Sequence, residues 1–170
     1  MIYFFSFLLI CLSITTYSVV LYDVDGKEWK LLLKNDDDNG VLNCGKSDDL
    51  FQIEDIFYWP KEPVRGKNLH LSIEGCVNQI IPQGSFIELC LKVGGITLFD
   101  GTLDLCEQLS NMAKSDPTIP ICPVQTGIIK VKHSEYIPSG IPKGTYHFKM
   151  TGFTPDNSEI FCLCGEVCLK

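Results

Sequence analysis

The chain has 170 residues, 45% of them hydrophobic, and carries 14 Lys+Arg against 21 Asp+Glu for a formal net charge of −7. That length suits one domain, and that apolar content excludes a disordered chain. The acidity argues against a nucleic-acid partner, because phosphate binding needs a concentrated basic surface, and it disfavours electrostatic attachment to anionic lipid.

Residues Ile2 to Ile14 are apolar apart from Ser6 and Ser13, and Thr16-Tyr17-Ser18 follows with small residues around a cut. A run this short at the extreme N-terminus predicts a signal peptide over residues 1–18. It departs from the usual pattern in having no Lys or Arg ahead of the apolar run, and an uncleaved anchor is the alternative. Residues 19–41 are polar and uneven around Asp36-Asp37-Asp38-Asn39-Gly40. They predict a flexible acidic segment; the later bidentate Glu of a calcium loop is missing.

Removing Cys11 with the signal leaves Cys44, Cys76, Cys90, Cys106, Cys122, Cys162, Cys164 and Cys168, an even set that suits disulfides in an oxidising compartment. The expected location is therefore secreted or lumenal, the endomembrane or vacuolar lumen included. There is no Cys-x-x-Cys pair and the three histidines are far apart, so neither metal nor cofactor is expected.

The domain is expected to run from Leu42 to Lys170. Phe51, Ile53, Asp55 and Phe57 alternate with Gln52, Glu54, Ile56 and Tyr58, a strand that ends at Trp59-Pro60 because proline lacks the ladder donor. Leu69, Leu71, Ile73 and Val77 then share one face opposite His70, Ser72, Glu74 and Cys76. After Pro82-Gln83-Gly84-Ser85 the alternation returns, with Ile87, Leu89, Leu91 and Val93 opposite Glu88, Cys90 and Lys92. Two amphipathic strands joined by a polar turn predict an antiparallel hairpin with one greasy face. Cys76 and Cys90 both fall on its polar face, which suggests a cross-strand bridge between them.

Gly94-Gly95 allows a bend into Ile96-Thr97-Leu98-Phe99. Asp104, with Glu107 three residues on, signals a helix start, and Leu105, Leu109 and Met112 share a helical face. Further strands are expected around Ile129–His133, Tyr146–Met150 and Ile160–Leu169, with the apolar, proline-stiffened connection Tyr136 to Pro142 between the first two. Six or seven short strands and one brief helix predict an all-β sandwich of two antiparallel sheets.

Catalytic chemistry has little support. No Gly-x-Ser-x-Gly elbow or His-Glu-x-x-His motif occurs, and His70, His133 and His147 read as surface residues. The aliphatic and aromatic residues near the turns, such as Ile128, Tyr136 and Ile141, instead suggest either a packed core or a ligand cavity. Periodicity cannot separate the two, because strands do not reveal whether their sheets close on each other.

An ordered set of segments adds to this reading. Cys44-Gly45 is followed by Tyr58-Trp59-Pro60-Lys61-Glu62-Pro63-Val64-Arg65-Gly66-Lys67-Asn68-Leu69. Next come Leu91-Lys92-Val93-Gly94, Phe99 with Asp104-Leu105-Cys106-Glu107, and Cys122-Pro123-Val124. Ile137-Pro138, Ile141-Pro142-Lys143-Gly144 and Ile160-Phe161-Cys162 complete it. In order and spacing this resembles the ML lipid-recognition family, in its fungal-type phosphatidylglycerol/phosphatidylinositol transfer branch.

The resemblance covers about Leu42 to Lys170. It implies an immunoglobulin-like sandwich with splayed sheets holding one lipid, and bridges Cys44–Cys162 and Cys106–Cys122. Cys164 and Cys168 exceed the family pattern. Glu62 replaces one of the family's usual prolines, and Ile141-Pro142 match an entrance position where the superfamily's sterol carrier has an aromatic residue before the proline. Phospholipid and sterol therefore both stay open as ligands.

The expected function is a monomeric carrier that makes transient membrane contact and moves one lipid intact. Its expected lining is Leu89, Leu91, Ile96, Leu98, Phe99, Ile137, Ile141, Pro142, Tyr146 and Phe148, with Ile141 and Pro142 at the mouth. The rival readings are an extracellular recognition module with a solid core and a secreted hydrolase.

Overall fold

The structure, a computed structural model, describes residues 40–170. The expected signal peptide and the acidic segment up to Asn39 lie outside the described residues. Eight strands and one helix follow in order: β1 (Val41–Asn43), β2 (Phe51–Trp59), β3 (Asn68–Val77), β4 (Phe86–Val93), β5 (Ile96–Asp104), α1 (Leu105–Ala113), β6 (Gly127–Tyr136), β7 (Gly144–Phe153) and β8 (Glu159–Leu169). They form a five-stranded sheet, β1-β8-β7-β4-β5, and a three-stranded sheet, β2-β3-β6. Every pairing is antiparallel. The expected sandwich is present, with β1 as a strand that periodicity could not reveal in three residues.

The helix begins where the sequence signals it. The Asp104 carboxylate accepts a hydrogen bond from the Glu107 amide at 2.8 Å, satisfying one of the orphan donors of the first turn.

The expected β3–β4 hairpin is corrected. The two strands lie in different sheets, β3 between β2 and β6, and β4 between β5 and β7. The connection does not turn back on itself. Asn78 donates its amide to the Leu50 carbonyl, and Ile81 exchanges both backbone bonds with Val124, so the chain is carried across from one sheet to the other. Alternation identified the greasy faces correctly; these faces oppose each other across the sandwich and are not joined edge to edge.

The Cys76–Cys90 bridge falls with the hairpin. Both cysteines are free, on the outer faces of opposite sheets. Packed sheets stand about 10 Å apart, whereas a disulfide needs Cα atoms within roughly 7 Å. The two bridges implied by the family resemblance are present: Cys44–Cys162, with Cα atoms 4.9 Å apart, and Cys106–Cys122, at 5.4 Å. Cys164 and Cys168 are free.

A second correction concerns β2. Its register against β3 slips between Ile53 and Asp55, leaving Glu54 as an extra residue. Such a bulge inverts the alternation beyond it. Phe51 and Ile53 point inward, but so do Ile56 and Tyr58, which lie opposite Ile73 and Leu71. Phe57 and Trp59 turn outward and are 46% and 57% exposed. Gly75 is required opposite the bulge, because a Cβ there would lie 2.2 Å from the Gln52 carbonyl oxygen and 2.9 Å from the Phe51 ring.

The two bridges differ in the chain they close, 118 residues for Cys44–Cys162 and 16 for Cys106–Cys122. On loop entropy, removing the first should cost about 4–5 kcal/mol and the second about 3 kcal/mol. Urea unfolding of the two Cys→Ala pair variants, compared with the parent under non-reducing conditions, checks the order and size of the losses.

Candidate functional site

Between the sheets lies a cavity of about 250 Å³. One wall is the inner face of the three-stranded sheet: Phe51 and Ile53 from β2, Leu69, Leu71 and Ile73 from β3, and Ile129 and Val131 from β6. The other wall holds Ile87, Met150, Ile160 and Leu163 from the five-stranded sheet. Helix α1 supplies a third side through Leu105, Gln108, Leu109 and Met112, which fall at the i, i+3, i+4 and i+7 spacing that puts them on one helical face.

These strands are long enough to bury their inner faces completely, yet Leu69, Leu71, Ile73, Ile129 and Val131 are only half-buried. Their side chains border open space where a sealed sandwich would interlock. The lining is apolar apart from Gln108, His133 and Glu135. An apolar void of this kind holds water poorly and suits a hydrocarbon guest.

The ten residues expected as lining lie elsewhere; none borders this cavity. Leu98, Ile137, Ile141 and Tyr146 are buried together in a separate packed cluster with Leu169, and Leu91 packs against it. Phe99 and Phe148 flank Leu91 in register on the inner face of the large sheet, and Leu89 packs against the core beneath the cavity. Ile96 is 48% exposed at the β4–β5 turn. The Pro142 carbonyl accepts the Tyr146 hydroxyl at 2.7 Å, and burial pushes that phenol's pKa up.

The cluster plugs one end of the sandwich. There the Gly66 amide donates to Ile137, the Ile137 amide donates to Lys67, and the Arg65 guanidinium donates to the Ile141 carbonyl at 2.9 Å. Proximity to the proline-rich connection therefore signalled closure at that end.

The residues that do line the void had signals of their own. The greasy face of β3 and the apolar face of α1 are both visible in sequence, but nothing local shows that they face each other. His133 was missed. It stands on the same side of β6 as Ile129 and Val131, is half-buried, and lies 3.0 Å from Glu135 through its Nε2. Beside it, the Asp116 carboxyl is held below the usual carboxylate range, first by the Thr118 hydroxyl and amide and in smaller part by the charge of His133.

Elsewhere, His70 stacks on Trp59 with ring centroids 5.7 Å apart, and His147 sits exposed beside Glu166. Burial pushes the Cys90 and Cys164 thiols up, away from the thiolate a nucleophile needs.

The contrast between the plugged end and the open cavity is measurable. Ile141 is fully buried in the packed cluster, so Ile141→Ala should cost about 2–5 kcal/mol. Leu71→Ala should cost less, because that side chain already lacks neighbours on one side. Urea midpoints of the two variants give the comparison; equal losses would mean the cavity is closed in solution.

Comparison with known proteins agrees with this architecture. The profile of the ML domain matches residues 38–169. A phosphatidylglycerol/phosphatidylinositol transfer protein from Cryptococcus neoformans is 32% identical over 122 residues, covering 72% of this chain and 66% of the relative. The protein of the same description from Kluyveromyces lactis is 32% identical over 134 residues, covering 76% of this chain and 74% of the relative. The chain thus spans just under two thirds of the Cryptococcus protein's length. Among solved structures, a Niemann-Pick type C2 protein from the Japanese carpenter ant superposes with a TM-score of 0.52 at 14% identity, covering 76% of this chain and 98% of that one, a likeness of fold. The open sandwich, its two bridges and the match over residues 38–169 lead to one assignment: this chain belongs to the ML domain family.

Proposed function

We propose that the chain is a lipid carrier that takes one lipid from a membrane, shields its hydrocarbon between the two sheets, and delivers it intact to another. The observation that carries this reading is the unfilled, almost wholly apolar cavity. Each buried CH₂ contributes about 0.8 kcal/mol, so an acyl chain would bind firmly with few polar contacts. Release is easiest at a membrane, where the lipid regains equivalent surroundings. Binding and release break no bond, so the protein is a carrier and not an enzyme.

The ligand class is a phospholipid, in line with the descriptions of the fungal relatives; a sterol is the second reading. At about 250 Å³ the cavity lies just below the roughly 300–1,000 Å³ of common ligand pockets. A diacyl lipid therefore requires the walls to yield. Met112 and Met150, unbranched and adaptable, are the side chains best suited to give way. The working form is a monomer in a secreted or lumenal compartment, where the two disulfides persist.

The test is native mass spectrometry of the purified protein after exposure to phospholipid vesicles, together with transfer of labelled lipid between vesicles. One intact lipid per chain is expected. Val131→Trp, which fills the void from β6, should leave the protein folded and reduce both loading and transfer about tenfold or more. A protein that takes up no lipid would support a solid-core recognition module, and recovery of lipid fragments would support a hydrolase; either result overturns the carrier reading.

A further inference from the structure

One end of the sandwich is built from uncharged chain. Residues 75–87 and 117–129 contain no Asp, Glu, Lys, Arg or His, although 21% of the protein is charged. The fold joins these two stretches as a ribbon. Ile81 exchanges both backbone bonds with Val124, and the Gln83 side-chain amide donates to the Cys122 carbonyl at 2.8 Å. β3 starts where Asn68 pairs with Tyr136, next to Ile137, and ends here, where Cys76 pairs with Ile128. The ribbon therefore lies at the opposite end of the sandwich from the packed cluster of Ile137 and Ile141.

Three isoleucines face outward from it: Ile80, Ile121 and Ile128 are 52%, 60% and 78% exposed. Each sits next in the chain to a residue that lines the cavity, namely Ile81, Pro120 and Ile129. The same short segments thus turn one apolar side chain to the void and its neighbour to water. Building the wall requires only the inward set. Exposed apolar residues scattered singly are ordinary, but three on one uncharged end mark a contact surface.

Resting on the carrier reading above, we infer that this end is the membrane-docking surface, and that the membrane it fits carries little net charge. Ile80, Ile121 and Ile128 enter the acyl boundary, while the exposed Gln79, Gln125 and Thr126 stay among the headgroups. Charge decides the kind of membrane. Asp104 and Glu107 open α1 at this end, and Asp156 follows Pro155, which lies beside Gly84. The bordering Lys46 and Lys130 are each paired with a carboxylate, of Glu159 and Glu74, and Lys114 closes the far end of α1. Such a border repels an anionic surface, so adhesion comes from apolar insertion. A second copy of the chain would bring these acidic groups against their like, which disfavours it as the occupant. Docking here sets the cavity wall of Val77, Ile81 and Val124 next to the bilayer, where a hydrocarbon tail has the shortest path between the two.

The experiment floats the full chain with phosphatidylcholine vesicles, with and without phosphatidylserine. The parent should bind the neutral vesicles, and added salt should not release it. Phosphatidylserine should weaken binding at low salt, with recovery as salt screens the repulsion. The triple variant Ile80→Thr, Ile121→Thr and Ile128→Thr keeps the branched shape at exposed positions. It should bind neutral vesicles about tenfold or more weakly, yet still take up short-chain phospholipid supplied as monomers, which also reports its folding. If it takes up none, Ile121→Thr alone decides, with a smaller loss in the same direction. Ile96→Thr, at the other end of the sandwich, should bind as the parent does. Four results would overturn this inference: a parent that ignores neutral vesicles or prefers those with phosphatidylserine, undiminished binding by a folded variant, the loss falling on Ile96→Thr instead, or a parent dimer that the triple variant breaks. A parent that docks but takes up no lipid, from vesicles or as monomers, overturns the carrier reading and leaves the docking surface standing.

Discussion

The apolar faces of the two sheets pack in two clusters, one around Ile137 and Ile141 and the other around Val77, Ile87 and Ile160, and the cavity depends on the space these leave between the sheets. The end around Ile137 is clamped by backbone groups. The last residue, Lys170, donates to the Pro63 carbonyl and accepts from the Arg65 amide, joining the end of the five-stranded sheet to the loop between β2 and β3. Gly66 and Lys67 in turn bond Ile137 just beyond β6. Beneath these bonds Ile137, Ile141 and Tyr146 are buried together. A closed end of this kind helps to fix the sheet separation, and the cavity lies between it and the core around Val77, Ile87 and Ile160.

The disulfides hold the opposite margins. Cys44–Cys162 fastens the start of the domain to β8, where β1 adds only three residues to the sheet. Cys106–Cys122 anchors the first turn of α1 to the segment leading into β6, so the helix that walls the cavity is tied to the chain that enters its edge strand. Cys106, Cys122 and Cys162 are buried, and none of the four bridged cysteines lines the void. The bridges thus add stability without filling the space between the sheets.

Most of the secondary structure was legible in the chain itself. The alternation in β3 and β4, the Asp104 cap and the apolar face of α1 are short-range patterns, and each appears where the residues place it. The failures were of two kinds. A single extra residue, Glu54, inverted the facing of Ile56 through Trp59, because a period of two carries no memory across a bulge. β3 and β4 resemble a hairpin in sequence because two greasy faces look the same whether they lie side by side or opposite. The supposed Cys76–Cys90 bridge failed for that one reason.

The amino-acid sequence alone determined which side chains are apolar on one face, where the helix starts, and, through the ordered motifs of its family, which four cysteines pair. Only the tertiary structure decided which of those apolar residues meet each other and which meet empty space. Ile137 and Ile141 became a plug, Leu71 and Val131 became a wall, and His133 with Glu135 was turned inward beside it. The physical reason is that hydrophobicity is a property of a residue, whereas a void is a property of the distance between two sheets, and that distance is set by contacts far apart in the chain.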